Sequence, residues 1–251
     1  MSIPLLRQLD WLIARPIAHR GLHDSPSGVI ENTLAAFAAA IARNYAIECD
    51  LQISSDGEAM VFHDSRLERL TEAKGRVIEL SSDDLKRLSM RNTKEVIPTL
   101  DEVLQKVGGR VPLIIEIKSH WNGSDALARR ALDVLAPYEG HYALMSFDPE
   151  VLEATRQLSP RTVRGIVADR VADRLWRQLP LPRRLELRHL AHVERSLPHF
   201  VSYEAKGLPW PPVRALRAAG LPVISWTVRS QGEAEEARRY SDQITFEGFR
   251  P

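Results

Sequence analysis

The feature that most constrains this chain is a regular alternation in which short apolar runs with strand character are separated by longer segments with helical periodicity. Strand-like runs begin at residues 17, 46, 111, 141, 162, 200, 222 and 243. Strict β-then-α order implies a parallel sheet, because parallel neighbours need a crossover long enough to hold a helix. Eight such units in 251 residues predict an α/β fold closed as a (β/α)8 TIM barrel rather than an open doubly wound sheet. Length alone also permits two small domains, but no low-complexity linker and no repeat beyond the βα unit marks a boundary. Residues 1–251 are therefore expected to form one barrel domain.

The local signals fit that plan. Residues 33–42 are rich in strong helix formers, with Asn32 the expected cap. Residues 46–53 alternate Ile47, Cys49, Leu51 and Ile53 with Glu48, Asp50 and Gln52, which puts two acids on one face of a strand. Adjacent carboxylates repel, so a positive partner is expected between them. Asp56-Gly57 is a tight-turn signal, and residues 58–62 close a small hairpin inserted after the second strand that delivers His63 and Asp64. Polar loop material is expected from there to about Pro98, then a helix over residues 99–107 ended by Gly108-Gly109. Residues 111–117 are nearly all apolar, as a parallel strand covered on both faces should be.

Charge and cysteine usage narrow the setting. With 34 basic and 33 acidic side chains the net charge is +1, which gives no long-range pull toward nucleic acid. The segment from Met1 to Arg15 is interrupted by Arg7 and Asp10 and is too polar for an export signal. No run approaches the roughly 18 apolar residues of a membrane span. A single cysteine, Cys49, cannot form an internal disulfide, so a soluble protein of a reducing compartment, the cytoplasm, is expected. Cys49 should face away from its acidic neighbours and pack against a helix.

In such a barrel the site lies at the carboxyl ends of the strands, so polar residues that end apolar runs are the candidates. These are His19 and Arg20 after the first strand, Glu48 and Asp50 on the second, His63 after the hairpin, Glu116 and Lys118 after the third, and Trp226 on the seventh. Glu48, Asp50 and Glu116 are hard oxygen donors, and no Cys-x-x-Cys or His-x-x-x-His spacing suggests zinc. An oxygen-only site suits one divalent cation, Mg²⁺ or Ca²⁺, with Mn²⁺ also compatible. Three carboxylates on such an ion leave a charge of about −1, which Arg20 and Lys118 would offset beside an anionic phosphate ester. His19 and His63 are a natural proton-transfer pair near neutral pH. Singly, each of these residues is more often structural, and Trp226 on composition alone is a core residue. It is their concurrence at unrelated strand ends that selects phosphoryl transfer.

The same residues carry a resemblance. Ile17-Ala-His19-Arg20-Gly21, Glu31-Asn32-Thr33-Leu-Ala-Ala-Phe37, Ile47-Glu48-Cys-Asp50-Leu51 and Val61-Phe-His63-Asp64 resemble the glycerophosphodiester phosphodiesterase family. So do Ile97-Pro98-Thr99-Leu100, Ile115-Glu116-Ile-Lys118, Ser146-Phe147, Gly220-Leu-Pro-Val223 and Trp226-Thr-Val228. The resemblance implies a barrel hydrolase that splits a glycerophosphodiester into glycerol 3-phosphate and an alcohol with a divalent cation. It places the acid/base histidines at His19 and His63, the metal carboxylates at Glu48, Asp50 and Glu116, and phosphate contacts at Arg20 and Lys118. Trp226 would wall the glycerol. It also implies attack by the neighbouring glycerol hydroxyl on phosphorus, giving a cyclic phosphate that water opens, with the histidines exchanging roles. Glu31 is expected to hold Arg20 or His19.

Two stretches depart from the family pattern. The last strand reads Gln243-Ile-Thr-Phe246-Glu247, where an acid is usual at position 246, and Glu247 should point to the opposite side if the strand continues. Residues 161–195 hold nine arginines against four acids, either as a solvated flank of an arginine-preferring chain or as a weak peripheral contact with anionic lipid. The rival functions are a lysophospholipase D or a sugar or opine phosphodiesterase with the same centre and, from another class, a silent barrel that only binds phosphate esters. Oligomeric state is not encoded in any pattern found.

Overall fold

Strands that are apolar on both faces bury one face inside a barrel and the other under helices, and that is the arrangement found in the computed structural model, which describes residues 9–91, 93–172 and 174–251. In chain order the first half runs α1 (Asp10–Ile13), β1 (Ile17–Ala18), α2 (Leu34–Ala42), β2 (Ala46–Ile53), β3 (Ala59–Val61), α3 (Ser82–Lys86), α4 (Leu100–Val107), β4 (Leu113–Ile117) and α5 (Ala126–Leu135). The second half runs β5 (Tyr142–Ser146), α6 (Pro149–Leu158), β6 (Arg164–Ala168), α7 (Leu181–Arg188), α8 (Val193–Ser196), β7 (Phe200–Glu204), α9 (Pro211–Ala218), β8 (Val223–Val228), α10 (Gln231–Ala237) and β9 (Gln243–Phe246). The parallel order is β1-β9-β8-β7-β6-β5-β4-β2, and β1 pairs back onto β2, so eight strands close a barrel. Strand β3 pairs antiparallel with the end of β2 and forms the expected hairpin, Leu51 opposite Val61. Residues 1–8, which include most of the segment read for an export signal, lie outside the described residues.

Register fixes which side chains enter the barrel. Ile17, Ala46, Ile114, Ala143, Met145, Val167, Phe200 and Ile224 share one buried cluster. Their neighbours in sequence, among them Ala18, Ile47, Cys49, Ile115, Leu144 and Ile244, pack outward with Phe37 and Ala40 of α2 and Leu100 and Val103 of α4. Strand period two therefore carries Glu48 and Asp50 inward with Ala46, Glu116 inward with Ile114, and Trp226 inward with Ile224. Cys49 is buried on the outer face, as its place between two acids requires.

Two local expectations are corrected. Thr33, not Asn32, caps α2, its hydroxyl accepting from the Ala36 amide at 3.3 Å. Asn32 sits at φ 58° and turns its side chain toward Asp50. The segment before Pro98 is not mere loop: Met60, Phe62, Leu67, Val77, Leu85, Met90 and Ile97 build a satellite core around α3. Its apolar residues are spaced without a sustained period, so no pattern announced it. Helix α4 has the expected stop, with Thr99 and Glu102 capping its start and Gly108 left-handed at φ 55° after its end.

Of the arginine-rich stretch, Asp173 lies outside the described residues. Arg183 pairs with Asp148, Glu150 and Glu186, and Arg195 with Glu153 and Glu186. Arg170 donates to the carbonyls of Gly207 and Pro209. At these positions the stretch is an ion-paired flank. No described helix is long and apolar enough to cross a membrane.

Inside the barrel, Gly165 of β6 lies opposite Phe200 of β7, and a Cβ added to Gly165 would come within 2.2 Å of the Phe200 ring. Gly165→Ala is expected to destabilise the fold by about 1–3 kcal/mol through overpacking, read from the urea midpoint. Gly232 in α10 has open space where a Cβ would go. Gly232→Ala should raise the same midpoint, by up to about 1 kcal/mol.

Candidate active site

All eight residues singled out from the sequence, His19, Arg20, Glu48, Asp50, His63, Glu116, Lys118 and Trp226, line one cleft of about 260 Å³ at the carboxyl ends of the strands. Glu48, Asp50 and Glu116 are buried, and one oxygen from each lies within 4.8 Å of the others. Pairing of β2 with β4 sets Asp50 beside Glu116, and the strand period sets Glu48 one step below Asp50.

So much negative charge in so little space must be answered. Burial, and then repulsion by Asp50 and Glu116, push the Glu48 carboxyl well above the usual carboxylate range. Asp50 goes the other way: burial opposes its ionisation, but the charges of Lys118, His63 and Arg20 outweigh burial and hold it well below that range. The Lys118 ammonium sits 2.7 Å from both Asp50 Oδ1 and Glu116 Oε1. Its own burial is overcome first by Asp50 and then by Glu116, which keep it charged. Asn32 Nδ2 donates to Asp50 Oδ2 at 2.9 Å, and the Arg20 amide donates to Glu48 Oε2 at 2.9 Å. Arg20 reaches that position with a left-handed φ of 55°, a costly conformation for a residue with a Cβ. The donor set is all oxygen, crowded and under-neutralised at Glu48, which fits a hard divalent cation.

Each histidine carries a carboxylate on Nδ1. His19 Nδ1 lies 2.6 Å from Glu247 Oε2, and His63 Nδ1 lies 2.6 Å from Asp64 Oδ1. An ionised carboxylate only accepts, so in both rings Nδ1 is the donor and Nε2 is left to exchange protons. Hydrogen bonding from His19 and then His23 keeps Glu247 well below the usual carboxylate range. Burial lowers the His19 pKa, against the opposing bond to Glu247, and so favours the neutral ring. Asp64 is fixed by Arg69, whose Nε lies 2.5 Å from Asp64 Oδ2 and whose other nitrogens hold Glu31. Glu31 in turn accepts from Arg20 at 2.7 Å, as expected of it, and Arg69 and Arg20 offset its burial and draw its pKa down to about 2.

Glu247 is a correction to the sequence reading. Strand β9 stops at Phe246, whose ring packs outward against Tyr45 and Phe249, and the chain then turns through Gly248 at φ 75°. Because Phe246 faces outward and Thr245 lines the cleft, the two-residue period returns Glu247 to the mouth, where it meets His19 and Arg229 instead of pointing away. The signal for this was the alternation of apolar Ile244 and Phe246 with polar Thr245 and Glu247. Arg69 and Arg229 were not singled out either, since arginine is too frequent in this chain for one to stand out.

A closed parallel barrel with buried oxygen donors and two carboxylate-backed histidines at its strand ends defines the class as a TIM barrel with its polar site at the carboxyl ends of the strands. The particular family follows from comparison: the sequence model of the glycerophosphoryl diester phosphodiesterase family matches residues 19–245, and the chain belongs to that family. It is 32% identical over 178 residues to glycerophosphodiester phosphodiesterase 1 of Bos taurus, covering 66% of this chain and 52% of that protein. The chain thus spans about half the length of the mammalian relatives it matches. A glycerophosphodiester phosphodiesterase of Bacillus subtilis is 26% identical over 248 residues, covering 86% of this chain and 77% of that one. Among solved structures, an Oleispira antarctica phosphodiesterase in complex with its product sn-glycerol-3-phosphate superposes with a TM-score of 0.77 at 23% identity, covering 92% of this chain and 91% of that one. A Thermotoga maritima glycerophosphodiester phosphodiesterase gives 0.70 at 24% identity with 92% of each chain covered. These two bear out the fold.

The charge balance generates a prediction. A divalent cation that binds only the folded cluster should raise the thermal midpoint by roughly 5–10 °C at about 100 times its dissociation constant. Glu48→Gln should lose that rise, and chelator should reverse it. The rise should also shrink as pH falls through the Glu48 titration, because a protonated Glu48 no longer donates to the ion. A rise in Glu48→Gln equal to that of the parent would place the ion elsewhere.

Proposed function

We propose that this protein hydrolyses glycerophosphodiesters to glycerol 3-phosphate and an alcohol, with Mg²⁺, Ca²⁺ or Mn²⁺ held by Glu48, Asp50 and Glu116. The observation that carries this reading is the meeting, in one cleft, of three buried carboxylates, two histidines each backed by a carboxylate, and an arginine with a spare donor. Arg20 Nε is buried and makes no hydrogen bond, although Asp50 Oδ2 lies 3.4 Å away. A phosphate oxygen would satisfy it. The product carried by the Oleispira relative supports the same substrate class. A silent phosphate-binding barrel would have no use for two oriented imidazoles.

The cation, when bound, would neutralise Glu48 and polarise the phosphoryl oxygens. The chain's own residues then divide the work. Arg20 and Lys118 bind the phosphoryl group, and Trp226, its indole N–H fixed on the Ser202 carbonyl at 3.0 Å, walls the cleft on the apolar side. His19, kept neutral by burial, accepts the proton of the glycerol 2-hydroxyl as that oxygen attacks phosphorus. His63 gives a proton to the departing alcohol oxygen. In the second half His63 takes a proton from water, water opens the cyclic phosphate, and His19 returns its proton to the 2-oxygen. Glu247 and Asp64 hold the two rings in the tautomer this exchange needs.

The purified protein is expected to release glycerol 3-phosphate from glycerophosphocholine, and chelator to suppress the release. His19→Ala and His63→Ala should each lower kcat by about 10²–10⁴ while cooperative melting is retained; full activity in either would remove that histidine from the chemistry. Glu247→Gln should lower kcat by about 10–100-fold with KM little changed. Unchanged kcat would reduce Glu247 to a surface contact.

A further inference from the structure

Helix α7 is amphipathic in the reverse of the usual sense for a helix packed on a barrel. Its charged side faces the protein: Arg183 is held by Asp148 at 3.0 Å, Glu150 at 3.1 Å and Glu186 at 2.8 Å, and Glu186 is held again by Arg195 at 2.8 Å. Its apolar side faces solvent, with Leu181 59% exposed and Leu185 48%, while Leu187 alone of its leucines is buried. We propose that this outer face docks on the surface of a bilayer that carries anionic phospholipid.

Residues 181, 184, 185 and 188 follow the i, i+3, i+4, i+7 spacing, so two leucines and two arginines share the outer face. Neither Arg184 nor Arg188 forms an ion pair among the described residues. Arg184 Nε is buried without a hydrogen bond, and the Arg188 guanidinium lies against the Trp210 ring, 5.5 Å from its centroid. Arg170 covers the same ring at 4.2 Å, and the indole N–H donates to the Arg188 carbonyl at 3.0 Å. An amphipathic ring flanked by cations therefore continues the face past the end of the helix. Headgroup phosphates supply the acid these arginines lack. Their long stems lie along apolar surface while the charged heads reach for phosphate, and Leu181 and Leu185 enter the boundary between headgroups and acyl chains.

The helix starts at the rim of the barrel mouth. It follows the 3₁₀ turn Arg174–Gln178, whose Trp176 and Gln178, with Trp121, Phe147 and Trp226, line an aromatic cleft that joins the candidate site at Glu116 and Lys118. Arg183 ties the helix to Asp148, two residues past the end of β5. A bilayer against Leu181 lies beside the opening of the barrel, whatever the site cleaves. A second copy of the chain is a poorer occupant. Two-fold pairing of this face with itself sets Arg184 and Arg188 against their own copies. An 8-residue helix, about 12 Å long, also offers far less than the roughly 800 Å² per partner of a stable interface.

Cosedimentation of the intact chain with vesicles of phosphatidylcholine, alone or in equal mixture with phosphatidylglycerol, is the test. Binding to the mixed vesicles is expected to be at least about 10-fold tighter than to neutral ones and to weaken with added salt. Leu181→Gln together with Leu185→Gln should weaken it by about 10-fold or more, and Arg184→Gln and Arg188→Gln by about 5-fold each. Arg238→Gln, at the exposed end of α10, removes the same charge elsewhere and should leave binding unchanged. Each variant should melt cooperatively at the midpoint of the parent, since the replaced side chains are not packed in the core. No binding, equal binding to neutral vesicles, or an equal loss in Arg238→Gln overturns the proposal. A dimer that the leucine variant dissolves, with no vesicle binding, also overturns it and assigns the face to a second copy.

Discussion

Everything at the mouth of this barrel depends on one electrostatic problem, three carboxylates buried within reach of one another. Like charges in a poorly solvated site raise one another's proton affinity, and Glu48 shows it. The protein answers part of the charge with Lys118, which bridges Asp50 and Glu116, and with Arg20, which approaches Asp50 and donates its amide to Glu48. Glu48 is left as the least compensated of the three. Three buried carboxylates with Glu48 under-neutralised cost folding free energy, which suits a site for a cation better than structural reinforcement.

Around that centre the other charges are arranged in relays. Arg69 ties Asp64 to Glu31, and Glu31 ties Arg69 to Arg20, so the backing of His63 and the phosphate-facing arginine belong to one network. On the other side Arg229 and His19 share Glu247. Each imidazole therefore faces the cluster with its tautomer already set, one following β1 and the other the β2–β3 hairpin beside it. Such preorganisation is what a site must hold in place before substrate arrives.

Most of this was legible in the sequence because it rests on period and order. Strand starts fell within two residues of those expected, since apolar runs between helical segments leave little freedom. Glu48 and Asp50 were placed on one face by a two-residue period, and Cys49 on the other. What escaped notice depended on where elements end. The cap on α2 moved one residue, from Asn32 to Thr33, which freed Asn32 for Asp50. The last strand faced Phe246 outward, against the expectation, which left Glu247 at the mouth beside His19. The satellite core around Leu67, Val77 and Leu85 has no period to read, and the aromatic cleft joins Trp121, Phe147, Trp176 and Trp226 across more than a hundred residues. Contacts of that kind are set by the closure of the barrel and not by any local pattern.

What the three carboxylates hold decides how this site works. A crystal grown with Mn²⁺ and examined by anomalous scattering at the manganese edge tests this directly. The expected result is one strong peak per chain within coordinating reach of Glu48, Asp50 and Glu116 together. A map with no peak there, or with manganese bound only at other carboxylates while Lys118 alone answers the cluster, would contradict it.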